Sequence, residues 1–310
     1  MATANNIASN QLMKLSLLKV CVSAVLLTAG IAVNAQDITS HFDSGSFSLA
    51  NQTLPYRVAE IGVTAAIQPV MVLYLHGGSS RGDDNEKQLN ERAVSVVYQY
   101  LSNHNVPAIF IVPQCPTGGG WTGQLRRVLI ELLKSYVNAG KVDENRIYVI
   151  GGSMGGTGTW CQLGNNPNFY AAAMPVAGNP TGQNAANVAT TPVRTVMGTA
   201  DALMSIEDVE NFMTEVNEAG GTIILDVEDG WTHPMTCENS YTDERLDWLF
   251  AQSRHNTTTQ IMNVKVGNLT YRFPTNETGK MTFEGNQLKI GDKTFDINEI
   301  DEITVVTDEE

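Results

Sequence analysis

Residues 146–156 read RIYVIGGSMGG, an apolar β-type run that ends in Gly151-Gly152-Ser153-Met154-Gly155. A serine set between glycines where a strand stops has the makings of a nucleophile. The turn that carries it is too sharp for bulky neighbours, and glycines let it lift the hydroxyl above the sheet. Thr159, Trp160, Cys161 and Leu163 form a helical patch just after it. Met154 then opens a helix, and its backbone N–H is free to hold a developing oxyanion. The same pattern also fits a plain Gly-rich turn, so its meaning depends on whether a base and an acid stand at compatible places.

A serine needs a base, and histidine is the usual one. The chain has five. His41 and His104 lie outside strand-end loops, and His255 sits in a polar, Thr-rich stretch. His76 follows the apolar run 70–75, ahead of the serine, where an oxyanion donor belongs. That leaves His233, in Gly230-Trp231-Thr232-His233-Pro234, after a strand at 223–227 and before the last helix.

The third partner is an acid that orients the imidazole. Between Glu144 and Asp201 there is no Asp or Glu at all. Asp201 is therefore the first carboxylate after the serine, in Met197-Gly198-Thr199-Ala200-Asp201 at a strand end. The chain order Ser, Asp, His is that of the α/β-hydrolase arrangement. Asp226, Glu228 and Asp229 stand too close to His233 along the chain and read as solvated loop charges. The acid-free stretch also removes a dinucleotide reading of the Gly-rich turn, which wants an acid some 20 residues on for the ribose. An oxyanion hole is expected from the N–H of Met154 and one from the loop after 70–75, with Gly78 first and Ser79 second.

The elements around these residues follow from periodicity. Continuous apolar runs at 70–75 and 108–112 mark buried strands, joined by strands at 146–152, 170–176, 193–197 and 223–227. Amphipathic helices are expected at 86–101, 124–137, 206–219 and 241–251, with a hairpin at 47–62 leading in. Strands alternating with helices predict an α/β fold, a mostly parallel doubly wound sheet with its site at the carboxyl ends of the strands. Beyond it the style changes to short alternating runs split by Gly and Asn, a small C-terminal β-rich module of two or three hairpins. The expected domains are a signal peptide at 1–35, a catalytic domain at 36–252, a linker at 253–261 and the module at 262–310. The signal peptide rests on Lys14 and Lys19 ahead of an apolar core and on Val33-Asn34-Ala35 as a cleavage-like end. Export to the periplasm or medium follows, with no stable membrane anchor.

A net charge of −14 argues against nucleic acid as a partner. Neither C-x-x-C nor H-E-x-x-H occurs, so no metal is expected, and no cofactor. Past the signal segment three cysteines remain, Cys115, Cys161 and Cys237, an odd count that allows one bridge and one free thiol. Oligomeric state is not legible.

The strings VLYLHGGSSRGDDN, FIVPQCPTGGGW, DENRIYVIGGSMGGTGTW, MGTAD and THP resemble secreted α/β-hydrolase esterases. The resemblance runs over residues 47–252 and is nearest to carbohydrate esterase family 1, with its feruloyl and acetyl-xylan esterases. It extends to polyhydroxybutyrate-depolymerase-like esterases and to predicted peptidases of the prolyl-oligopeptidase type. It implies Ser153, Asp201 and His233 as a triad and Met154 with Gly78 as oxyanion donors. One departure is Gly152, where many relatives carry a larger residue before the serine. The implied substrate is a feruloyl or acetyl ester of plant polysaccharide, with Gln114, Trp121 and Trp231 as candidates to line the cleft. Two alternatives stay open. One is a serine peptidase, although peptidases of that type carry a large propeller for which this chain has no room. The other is a binding protein on a hydrolase fold.

Overall fold

The computed structural model describes residues 38–254, 260–274, 281–291 and 293–307. The signal segment, His255 and most of the linker lie outside them. Eight strands form one sheet: β1 (Asp43–Leu49), β2 (Gln52–Ile61), β3 (Val70–Leu75), β4 (Ala108–Pro113), β5 (Ile147–Gly152), β6 (Ala172–Val176), β7 (Val193–Gly198) and β8 (Ile223–Glu228). Their order is β1-β2-β4-β3-β5-β6-β7-β8. β1 and β2 form an antiparallel hairpin, β2 joins β4 antiparallel, and every pair from β4 to β8 is parallel.

Every residue of β3, β4, β5 and β6 is buried, because helices cover both faces of a parallel sheet. These helices are α1 (Arg92–Asn103), α2 (Gly123–Asn138), α3 (Met154–Asn165), α4 (Ala185–Val188), α5 (Ile206–Glu218), α6 (His233–Asn239) and α7 (Asp243–Ala251). β3 has β4 on one side and β5 on the other, so the winding reverses there. The crevice outside the carboxyl ends of β3 and β5 is where such a sheet leaves room for a ligand.

Two helices differ from expectation. The helix expected from residue 86 begins at Arg92, because a 3-10 turn at Lys87–Asn90 precedes it. The helix expected at 241–251 is α7, and a further short helix, α6, precedes it with His233 as its first residue. Pro234 is tolerated there because first-turn N–H groups have no intrahelical partner.

The C-terminal strands form two three-stranded sheets. One is β10 (Leu269–Pro274), β9 (Gln260–Val266) and β14 (Glu302–Thr307), and the other β11 (Thr282–Glu284), β12 (Gln287–Ile290) and β13 (Lys293–Asp296). Met262, Val264, Leu288, Ile290 and Phe295 build one small core between them. The expected hairpins are present as β9–β10, β11–β12 and β12–β13, and the last strand adds a pairing with β9 across a long stretch of chain. The strand also starts at Gln260, inside the expected linker. Among the described residues no helix is long and apolar enough to cross a membrane.

Candidate active site

Ser153 ends β5 and caps α3 with φ 58° and ψ −120°. A non-glycine residue pays for that conformation, and here the surroundings fix it. Its N–H donates to Val176 O at 3.0 Å and its carbonyl accepts from Thr157 N at 3.0 Å. The glycines around it serve close approach. A Cβ on Gly155 would collide with the Leu75 carbonyl oxygen, and one on Gly156 with that of Val176. Only glycine lets α3 start flush against the ends of β3 and β6.

The structure brings Ser153, His233 and Asp201 into one line. The Ser153 hydroxyl lies 2.7 Å from His233 Nε2, and His233 Nδ1 lies 2.7 Å from Asp201 Oδ2. With Nδ1–H donating to the carboxylate, Nε2 is left to take the serine proton. The Asp201 side chain is fully buried, and its second oxygen accepts the N–H groups of Leu203 at 2.8 Å and Met204 at 3.0 Å. The loops bearing acid and base are laced together: Ala200 N–H donates to Trp231 O at 3.0 Å and Gly230 N–H to Thr199 Oγ1 at 2.7 Å.

Met154, as the first residue of α3, has an N–H with no carbonyl inside the helix to bond. Opposite it the loop after β3 makes a 3-10 turn, Gly78–Ser80, and the cleft floored by Ser153 is lined by Gly77, Gly78 and Ser79. Its volume is about 700 Å³, within the range of small-molecule sites. His233, Pro234, Leu203, Lys87 and Arg92 stand among the other wall residues, and Leu203 is 72% exposed at the rim.

His76 is no rival base. It is fully buried and its Nε2 accepts the Cys115 N–H at 2.9 Å, so Nδ1 carries the hydrogen and donates to Gly77 O at 2.6 Å. Burial lowers its pKa to about 4, keeping the ring neutral as a fastener between the ends of β3 and β4.

Three expectations need correction. Gln114 and Trp121 are buried and do not line this cleft. Gln114 accepts from Asn85 N–H at 2.6 Å and donates to Asp84 at 2.7 Å, under the loop after β3. Trp121 donates to His76 O at 2.9 Å and packs edge-on to that ring. Trp231 contributes its carbonyl to the acid loop, and its side chain is not part of the cleft wall. Nor are Asp226 and Glu228 solvated loop charges. Asp226 binds Arg194 and Arg245, each at 2.8 Å, and Glu228 binds Arg245, while Asp229 accepts from Thr199 Oγ1 at 3.1 Å. No disulfide joins Cys115, Cys161 and Cys237, which are all free thiols.

Sequence reasoning passed over Cys237 and Glu91, both in the cleft wall. Cys237 sits one turn after His233 with Sγ 4.0 Å from Nε2. Burial first, then the charges of Glu91, Asp201 and Glu238, push its thiol up to about 12. A thiol so weakly acidic and so distant leaves the imidazole to Ser153. The i, i+4 spacing of His233 and Cys237 was the available signal, but nothing marked that stretch as helical.

The fold, with a nucleophile turn after β5, an acid after β7 and a base after β8, is that of an α/β-hydrolase, and the three side chains stand in the arrangement of a serine-hydrolase triad. Residues 128–184 match the family model described as the prolyl oligopeptidase family. Among solved structures, a thermostable esterase aligns at 25% identity and TM-score 0.65, covering 70% of this chain and 64% of its own. The chain thus spans less than two thirds of that esterase. A feruloyl esterase module from Clostridium thermocellum complexed with sinapinate aligns at 15% identity and TM-score 0.54, covering 67% of this chain and 87% of its own. An acylaminoacyl peptidase in complex with Z-Gly-Gly-Phe-chloromethyl ketone aligns at 11% identity and TM-score 0.52, covering 68% and 41%. The last two share the fold alone. No curated protein sequence matches the chain.

Proposed function

We propose that the protein is an exported serine carboxylic-ester hydrolase that works through an acyl-enzyme on feruloyl or acetyl esters of plant polysaccharide. The observation that carries this reading is the hydrogen-bonded line from Ser153 through His233 to Asp201, open to a cleft. Ser153 Oγ attacks the ester carbonyl carbon while its proton passes to His233 Nε2. The carbonyl oxygen becomes an oxyanion held by the N–H groups of Met154 and Gly78. Collapse re-forms the carbonyl and expels the alcohol, which takes the proton from His233. Water then repeats the sequence on the acyl-enzyme and releases the acid. Asp201 holds the imidazolium through its Nδ1–H.

Ester rather than amide is favoured because the neighbours named as esterases align over larger shares of their own chains than the peptidase does. A peptidase is the second reading, supported by the prolyl oligopeptidase match. Export rests on the apolar segment after Lys14 and Lys19.

The test is a panel of aryl acetate, methyl ferulate, acetylated xylan and a peptide amide, each with wild type and Ser153→Ala. Esters should turn over, amide far less, and Ser153→Ala should abolish both. Ester turnover surviving in Ser153→Ala overturns the mechanism, and amide turnover above ester turnover promotes the peptidase.

A further inference from the structure

Glu91 stands at the N-cap of α1, where a side chain ordinarily turns back onto its own helix. It does not. Its carboxylate crosses instead to the loop after β3. Oε1 accepts the Gly77 N–H at 2.8 Å and the Ser80 hydroxyl at 2.7 Å, and Oε2 accepts the Tyr74 hydroxyl at 2.5 Å. One oxygen thus ties both ends of a turn whose middle residues are Gly78 and Ser79. Ser80 N–H, donating to Gly77 O at 3.3 Å, closes the same turn through the backbone. Tyr74 holds the far oxygen from inside β3, where it is buried.

The turn stands against the nucleophile, since a Cβ built on Gly77 would lie 3.6 Å from Ser153 Cβ. With its N–H committed to Glu91, Gly77 is no oxyanion donor. The donor must come from the next amides, and their direction depends on where the turn is pinned. A carboxylate makes shorter and stronger bonds to such donors than a neutral acceptor.

Resting on the hydrolase reading above, we propose that Glu91 is a positioning residue of the oxyanion hole. By holding Gly77 and Ser80 it aims the Gly78 N–H at the site where the oxyanion forms, without touching substrate itself. Misplacing a reacting partner by about 1 Å can cost on the order of 100-fold in rate.

The experiment compares wild type, Glu91→Ala, Glu91→Gln and Glu91→Asp on an aryl acetate, with the affinity for an aryl trifluoromethyl ketone, whose adduct with the serine carries the oxyanion, and with Tm. Glu91→Ala should lower kcat by about 10–100-fold with KM little changed. Ketone affinity should fall by a matching factor. Glu91→Gln should recover most of both, because its amide oxygen can accept the same two bonds and its NH₂ can face Tyr74. Glu91→Asp, one methylene too short to span the turn, should resemble Glu91→Ala and stands in for it if that variant does not fold. Unchanged kcat and ketone affinity in both Glu91→Ala and Glu91→Asp overturns the proposal, as does a loss confined to KM or one that Glu91→Gln fails to repair. These failures leave the hydrolase reading intact as long as Ser153→Ala is inactive, whereas ester turnover by Ser153→Ala overturns that reading itself.

Discussion

At the scale of single residues, the division of labour is set by who holds which proton. His233 faces the serine with one nitrogen and a buried carboxylate with the other, each at 2.7 Å. Asp201 in turn is held by two backbone N–H groups, so it cannot swing to meet another partner. Replacing it with asparagine keeps the shape but lets an amide N–H face Nδ1, which favours the tautomer with the hydrogen on the wrong nitrogen. Steady-state kinetics of Asp201→Asn should show kcat lower by on the order of 10³–10⁴-fold, with KM within a small factor of wild type. A loss below tenfold would mean that the carboxylate does not set the imidazole.

At the scale of elements, the site exists because the loops after β3, β5, β7 and β8 and the starts of α3 and α6 converge over the carboxyl ends of the sheet. The start of α3 demands glycine. An added methyl at Gly155 would strike the backbone oxygen of Leu75, which has nowhere to go inside a buried strand. Gly155→Ala should therefore destabilise by at least about 1–3 kcal/mol, read as a drop in Tm, while Gly120→Ala should leave Tm unchanged. At Gly120 the added methyl would meet nothing nearer than Thr122 Oγ1 at 4.0 Å. Much of this level was legible in the chain. Unbroken apolar runs announced the buried strands, and an acid-free stretch singled out Asp201, which the structure sets beside His233. What was not legible depends on contacts between distant segments. Nothing local tells that Gln114 and Trp121 turn inward to brace the loop after β3, or that Glu91 reaches that loop from another helix. The short helix α6 was hidden because Pro234 allows a helix to start at His233 without requiring one.

For the molecule as a whole, the same fastening has a cost in acid. His76 accepts a proton only near pH 4 in the folded protein because burial disfavours its charged form, while an unfolded chain takes that proton near pH 6.5. Between these values the unfolded state binds more protons, so stability falls as pH drops through this window and levels off below it. At about 1.4 kcal/mol per pH step, roughly 3 kcal/mol should be lost. Denaturant midpoints across that window should fall steeply for wild type and less for His76→Gln, and an equal fall in both would remove His76 from the account. The central claim is that one serine in the whole chain is activated, and it is tested most directly by an aryl fluorophosphonate on the native protein, with the adduct mapped by mass spectrometry and its rate of formation followed. The account predicts a single adduct on Ser153, absent in Ser153→Ala and formed far more slowly in His233→Ala. An adduct on another residue, no reaction at all, or a rate indifferent to His233 would contradict it.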